Sequence, residues 1–183
     1  QVTIARVAGT EVYPSRFMLV CAMNPCKCGW YGDPSGRCRC SPKSVRQYLS
    51  RVSGPLLDRI DIIIEVPALP FAELRRTTPA EPSTAVRSRV TAAREIQRKR
   101  YQGSGTFANA SMDPSQMRAF CALSPACESL MRAAFDALHL TARSYDRVLR
   151  VARTIADLAG SEKILPEHVA EAVQYRTYSF EDG

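Results

Sequence analysis

Four cysteines stand in two close pairs, Cys26-Lys27-Cys28 and Cys38-Arg39-Cys40, with nine residues between the pairs. Four thiolates can close a tetrahedral zinc site, and the interval from Gly29 to Arg37 has the glycines, aspartate and proline that fold one pair back on the other. Structural zinc pairs usually leave two or more residues between the thiols, so the one-residue spacing keeps three readings open: a zinc staple, reduced free thiols or a redox switch. The chain has seven cysteines, an odd number that does not fit a complete disulfide framework. Its two histidines, His139 and His168, belong to the later helical part, which leaves no Cys-His pairing for nucleophilic catalysis. Cys121 and Cys127 read as helical packing residues.

Lys27, Trp30, Tyr31, Arg37, Arg39 and Lys43 interleave cations and aromatics through and just beyond the same loop. Such a set can stack bases and neutralise phosphates of single-stranded nucleic acid, or Trp30 and Tyr31 can cover the loop's own small core. The net charge of +7 is uneven: residues 1–80 carry 11 Lys/Arg against 6 Asp/Glu, residues 81–110 carry 6 against 2, and residues 111–183 carry 8 against 10. A basic first 110 residues suits a polyanionic partner, although a surplus of this size is common elsewhere.

The elements that must position these residues follow from pattern. Val2 to Val7 and Glu11 to Tyr13 flank a Gly-containing turn and read as a hairpin. Phe17 to Ala22 and Ile60 to Val66 are apolar runs of strand length, expected as buried strands of a sheet. Ser41 or Ser44 can cap a short helix over 45–49. Prolines and threonines from Pro67 to Pro82, around Phe71-Ala72-Glu73-Leu74, compose a connector with at most one helical turn. Helical periods follow over 84–101, 114–120, 125–138, 141–159 and from Pro166 onward. The helix over 141–159 gathers Tyr145, Val148, Leu149, Ala152, Ile155 and Ala156 on one face and Arg143, Arg147 and Arg150 on another. The arginines of 87–100 fit either a nucleic-acid stripe or a solvated face. At 183 residues and 45% apolar content one ordinary core, or a small core plus a helical unit, can form. No apolar run approaches the roughly 20 residues of a membrane span and no signal peptide is visible, so the chain is expected to be cytoplasmic and without a membrane partner.

Several words occur in order: Val2-Thr3-Ile4-Ala5-Arg6, Ala22-Met23-Asn24-Pro25-Cys26, the two Cys-x-Cys pairs, Ser53-Gly54-Pro55-Leu56-Leu57-Asp58-Arg59-Ile60-Asp61, Thr141-Ala142-Arg143-Ser144-Tyr145-Asp146-Arg147 and Pro166-Glu167-His168-Val169-Ala170-Glu171-Ala172. Over residues 1 to 178 this resembles the magnesium chelatase-related AAA+ ATPases of the ComM/YifB type. The resemblance implies an α/β plus all-α fold. Residues 1–80 would be the C-terminal part of an AAA+ ATPase core, with the hairpin, two buried strands and a Cys-rich insert at 26–40, and residues 81–183 an α-helical lid.

The resemblance also implies roles. Asn24, at a strand tip, matches the sensor 1 residue that orients the attacking water, where the dipeptide alone reads as an Asn-Pro turn. Arg59 matches an arginine finger that acts across a subunit boundary, with Arg51 its nearest competitor; the plain alternative is a surface pair with Asp58 or Asp61. Arg143 matches the lid arginine called sensor 2, with Arg147 in competition and a solvated helix face as the alternative. ATP and Mg2+ are the implied cofactors of the full-length protein, and Cys26, Cys28, Cys38 and Cys40 the ligands of a structural Zn2+. The implied partners are further copies in a ring, taken as a hexamer, and DNA. The implied work is ATP-driven DNA remodelling, as a helicase or in branch migration during DNA uptake and recombination. No GxxxxGK[ST] phosphate loop occurs and the chain opens on Gln1, so it is expected to be a C-terminal piece that does not hydrolyse ATP alone. The reading of a different class is a zinc-stapled basic module that holds DNA or a protein partner, with no ATPase role.

Overall fold

The computed structural model describes residues 1–15, 17–67, 69, 71, 75 and 79–177. Most of the connector read between Pro67 and Pro82 lies outside these. The chain divides into two units by its internal contacts, Gln1–Leu49 and the part from Ser50 onward.

In the first unit β1 (Val2–Arg6) pairs antiparallel with β2 (Gly9–Tyr13), from Val2 opposite Tyr13 to Arg6 opposite Gly9. Gly9 closes the turn at φ +147°, a conformation that side chains with a Cβ rarely adopt. Every residue of both strands is exposed. Beyond the Cys-rich loop, α1 (Pro42–Leu49) starts at Ser41, whose hydroxyl accepts from the Ser44 N–H at 3.3 Å. It buries Val45 and Leu49, four residues apart and so on one face.

The two apolar runs depart from expectation. Phe17 to Ala22 is not a buried strand: it pairs with nothing among the described residues, and Met18 is 88% exposed. Nor is Ile60 to Val66, where Ile62, Ile64 and Val66 face outward and one bond, Ile63 N–H to the Tyr175 carbonyl at 3.2 Å, resembles a ladder contact. An apolar run becomes a strand only when neighbours take up its N–H and C=O groups and cover its faces. Among the described residues only the hairpin is paired, so the mixed α/β character rests on a two-stranded sheet.

The second unit is helical: α2 (Gly54–Leu57), α3 (Ser83–Arg100), a 3-10 turn (Asn109–Ser111), α4 (Pro114–Phe120), α5 (Pro125–Ala137), α6 (Ala142–Leu158) and α7 (Pro166–Gln174). The helix starts are chemically plain. Ser53, Ser124 and Thr141 accept from the N–H three residues on, and Asp113 with Gln116 forms a reciprocal capping box before Pro114. Gly160, at φ +68°, follows the end of α6.

The apolar face of α6 supplies Val148, Leu149, Ala152 and Ala156 to a core completed by Tyr101, Met117, Cys121, Cys127, Met131, Ile164, Val169 and Ala172. One polar knot is buried with them. Asp157 accepts from Arg100 at 2.7 Å, Asn109 Nδ2 at 2.8 Å and Arg153 Nε at 3.1 Å, while Arg153 also donates to the carbonyls of Ser161 and Glu162. This knot fastens the end of α3, the 3-10 turn and the loop after α6 to one carboxylate. No helix among the described residues is long and apolar enough to cross a membrane.

Candidate functional site

The four loop cysteines converge. Their sulfur atoms all lie within 4.8 Å of one another, with Cys26 to Cys28 at 3.3 Å, Cys28 to Cys38 at 3.6 Å and Cys26 to Cys38 at 3.8 Å. A tetrahedral zinc with bonds near 2.3 Å needs sulfur atoms about 3.8 Å apart, so the donor set fits that ion in kind, number and spacing. Local turns create the convergence: Gly29 N–H bonds to the Cys26 carbonyl at 3.1 Å, Asp33 N–H to Trp30 at 3.2 Å and Gly36 N–H to Asp33 at 3.2 Å. Gly29 sits at φ +82°, which a β-carbon would strain, and this lets the first pair turn within one residue.

The thiols differ in acidity. Burial opposes ionisation of Cys26, yet hydrogen bonds from the Cys28 thiol and from the backbone around it bring the pKa to about 6. Cys38 gains a backbone bond from Cys40, but burial and the neighbouring sulfurs push it up to about 11. All seven cysteines of the chain are free thiols.

On the loop's surface Arg37 lies over Trp30, 4.1 Å from the ring centroid, and its Nε donates to Ser35 Oγ at 2.9 Å. Ser35 in turn donates to Asp33 through its N–H at 2.8 Å and through its hydroxyl, and that hydroxyl bond holds the Asp33 carboxyl below the usual range. Lys27, Arg39 and Lys43 are exposed and Tyr31 is half-buried. Asn24 is exposed, and its side-chain amide lies beside Gly29, against the first turn of the cysteine loop.

The Leu56-Leu57-Asp58-Arg59 word forms a second centre, in the helical unit. Asp58 is the hub: its Oδ1 accepts from the Ser144 hydroxyl, from Arg176 Nη2 at 3.3 Å and from Thr141 Oγ1 at 3.5 Å, and its Oδ2 from Arg143 Nη1 at 3.4 Å. The Ser144 bond first, then the Arg176 charge, hold the Asp58 carboxyl below the ordinary range. The carboxylate thus docks at the N-terminus of α6, where the helix dipole also favours it. Asp61 pairs with Arg147. Arg59, between the two acids, pairs with neither; it is exposed and donates to the Pro55 carbonyl at 2.7 Å.

The two lid candidates therefore differ. Arg143 is 59% exposed with one long contact, whereas Arg147 is 20% exposed and its Nε is buried without a partner. Two participants were missed in sequence, Ser144 and Arg176. For Arg176 the available signal was a cation just past a helix C-terminus. Three arginines of α3 have partners within the chain, Arg89 with Glu81 and Arg98 with Glu95 in exposed pairs and Arg100 with the buried Asp157.

Comparison with known proteins matches both parts of the chain to one family. Residues 1–74 match the family model described as "Magnesium chelatase, subunit ChlI", and residues 80–176 match "Magnesium chelatase, subunit ChlI C-terminal". The chain is 41% identical over 177 residues to YifB of Escherichia coli K12 and 40% identical over 177 residues to the competence protein ComM of Haemophilus influenzae. It is 36% identical to YifB of Salmonella typhimurium. In each case the match covers 96% of this chain and 34% of the relative, so the chain spans about a third of the length of these curated relatives. Two family models in tandem, with relatives near 40% identity along almost the whole chain, lead to one conclusion: this chain belongs to the magnesium chelatase ChlI family.

Proposed function

We propose that this chain is the arginine-finger, sensor and lid portion of an AAA+ ATPase that couples ATP hydrolysis to DNA remodelling. The observation that carries this reading is Arg59. Asp58 and Asp61 are taken by Arg143, Arg176 and Arg147, and Arg59 is left exposed on a neutral carbonyl. A guanidinium in that state exchanges a backbone oxygen for a phosphate oxygen at little electrostatic cost, and offers it the planar fork that neutralises growing charge in phosphoryl transfer. In a ring of copies, read as a hexamer, Arg59 would act on ATP held by the neighbouring subunit.

Within its own subunit Asn24 would orient the attacking water. Arg143 is favoured over Arg147 as the lid residue that reaches the nucleotide, since its exposed side chain gives up one 3.4 Å contact, whereas Arg147 is largely covered and paired with Asp61. Mg2+ bound with ATP would supply further charge neutralisation. The rest of the full-length protein would supply the phosphate-cradling loop. Cys26, Cys28, Cys38 and Cys40 would hold a structural Zn2+ that fastens a basic insert. The competence name of the Haemophilus relative accords with work on DNA during uptake and recombination.

The test is Arg59→Ala in the full-length protein. ATP turnover should fall at least about 100-fold while nucleotide affinity stays within about threefold. Unchanged turnover removes Arg59 from the finger role.

A second reading, a zinc-stapled module that binds DNA with no part in hydrolysis, is favoured by the Arg37–Trp30 stack on the cysteine loop. It predicts DNA binding by that loop in a protein whose turnover ignores Arg59.

A further inference from the structure

The turn that carries Arg59 is gripped by one side chain from the far end of the chain. Arg176 lies two residues past the end of α7, and its side chain is 8% exposed. Its Nη1 donates to the Ile60 carbonyl and to the Leu57 carbonyl at 3.4 Å, and its Nη2 donates to Asp58 Oδ1 at 3.3 Å and Ser144 Oγ at 3.1 Å. The acceptors on residues 57, 58 and 60 bracket Arg59 in sequence and leave it out.

The turn does not need this grip in order to form. Leu57 N–H bonds to Ser53, Asp58 N–H to Gly54, Arg59 N–H to Leu56 and Ile60 N–H to Leu57, all at 2.9–3.1 Å. What local bonds leave open is how the turn sits on α6. Asp58 and Asp61 tie it to Thr141, Arg143, Ser144 and Arg147 of that helix, and the Arg176 guanidinium adds the contact that holds the Leu57 and Ile60 carbonyls on either side of Arg59. A buried guanidinium is tolerated only when its donors are met, and here a planar fork meets acceptors on two segments at once. A lysine offers one compact ammonium and does not reproduce the fork.

We propose that Arg176 is a positioning residue for Arg59: it orients the 57–60 turn on α6 so that the Arg59 guanidinium projects toward a neighbouring subunit. This rests on the reading of Arg59 as the finger. It adds that the end of α7 and the first turn of α6 set the finger's aim, so movement of those helices changes what one subunit presents to the next.

The experiment uses the full-length protein and compares Arg59→Ala, Arg176→Ala and Arg176→Lys by ATP turnover against ATP concentration. Arg176→Ala should lower kcat at least about tenfold with KM for ATP within about twofold, and Arg176→Lys should restore only part of the loss. Since a finger acts on its neighbour, mixing either alanine variant with subunits unable to bind ATP should recover part of the turnover, because at half of the mixed interfaces the variant's intact nucleotide site meets the other subunit's intact finger. A loss that mixing does not recover is a folding defect and overturns the inference. So does wild-type kcat in Arg176→Ala beside a loss in Arg59→Ala. If Arg176→Ala does not assemble, Arg176→Lys, which keeps the buried charge, is read instead, and wild-type kcat there overturns the proposal. Unchanged turnover in Arg59→Ala overturns the finger reading itself, and this inference with it.

Discussion

The Ser144 hydroxyl donates to the Asp58 carboxylate across 86 positions of sequence, joining the turn before the second apolar run to the first turn of α6. Because that bond and the Arg176 charge depress the Asp58 pKa, the carboxylate stabilises the fold above its unfolded value of about 3.9 and loses this as pH falls through the lower folded pKa. Asp58→Ala should cost about 1–2 kcal/mol at neutral pH, the side chain being partly exposed. Urea unfolding at pH 7 and pH 3 checks this; the gap between variant and parent should narrow at the acid end.

Asp157 is a costlier loss. Burial alone would raise its carboxyl, but the Arg100 and Asn109 bonds outweigh burial and keep it below the ordinary range. Asp157→Ala leaves Arg153, with a side chain 2% exposed, and Arg100 without a counter-charge. The expected destabilisation is about 3–5 kcal/mol, read from denaturant midpoints. A change under about 1 kcal/mol would show that the knot relaxes into water instead.

For the cysteine centre the expected outcome is about one zinc per chain by metal analysis of purified protein, as four thiolates in one tetrahedral site imply. Cys26→Ser and Cys38→Ser should each bring the content below half. Less than half an equivalent in the parent chain sinks the zinc assignment.

Trp30 is the sole tryptophan, so its fluorescence reports on the loop without a label. A single-stranded oligonucleotide should quench it, and Arg37→Ala should weaken binding and lower the salt-dependence slope by about 0.7, the share of one phosphate contact. Emission that stays constant at saturating oligonucleotide would remove the loop from the DNA surface.

How much of this was legible in the residues differs by element. The helices from Ser83 onward were, because an apolar face repeats every turn and three of the starts carry their own acceptor: Asp113, Ser124 and Thr141 are sequence-local chemistry. The apolar runs at 17–22 and 60–66 were misread as buried strands, since composition shows that a segment wants covering and not whether a partner lies beside it. For Arg59 composition left two local partners open, Asp58 and Asp61, and the structure gives it neither.

The sequence by itself determined the family, from short words in order along the chain, the helices from Ser83 onward and the two close cysteine pairs around a glycine-containing interval, because each word, helix and pair depends on residues a few positions apart. The short helix Gly54–Leu57 and the first turn of Pro42–Leu49 were not read there. Only the tertiary structure decided which arginine meets which acid. Asp58 meets Arg143 and Arg176, 85 and 118 positions away, and not its own neighbour Arg59. Ion pairing falls off with distance through space, and the packing of α6 and α7 alone brings those side chains within reach.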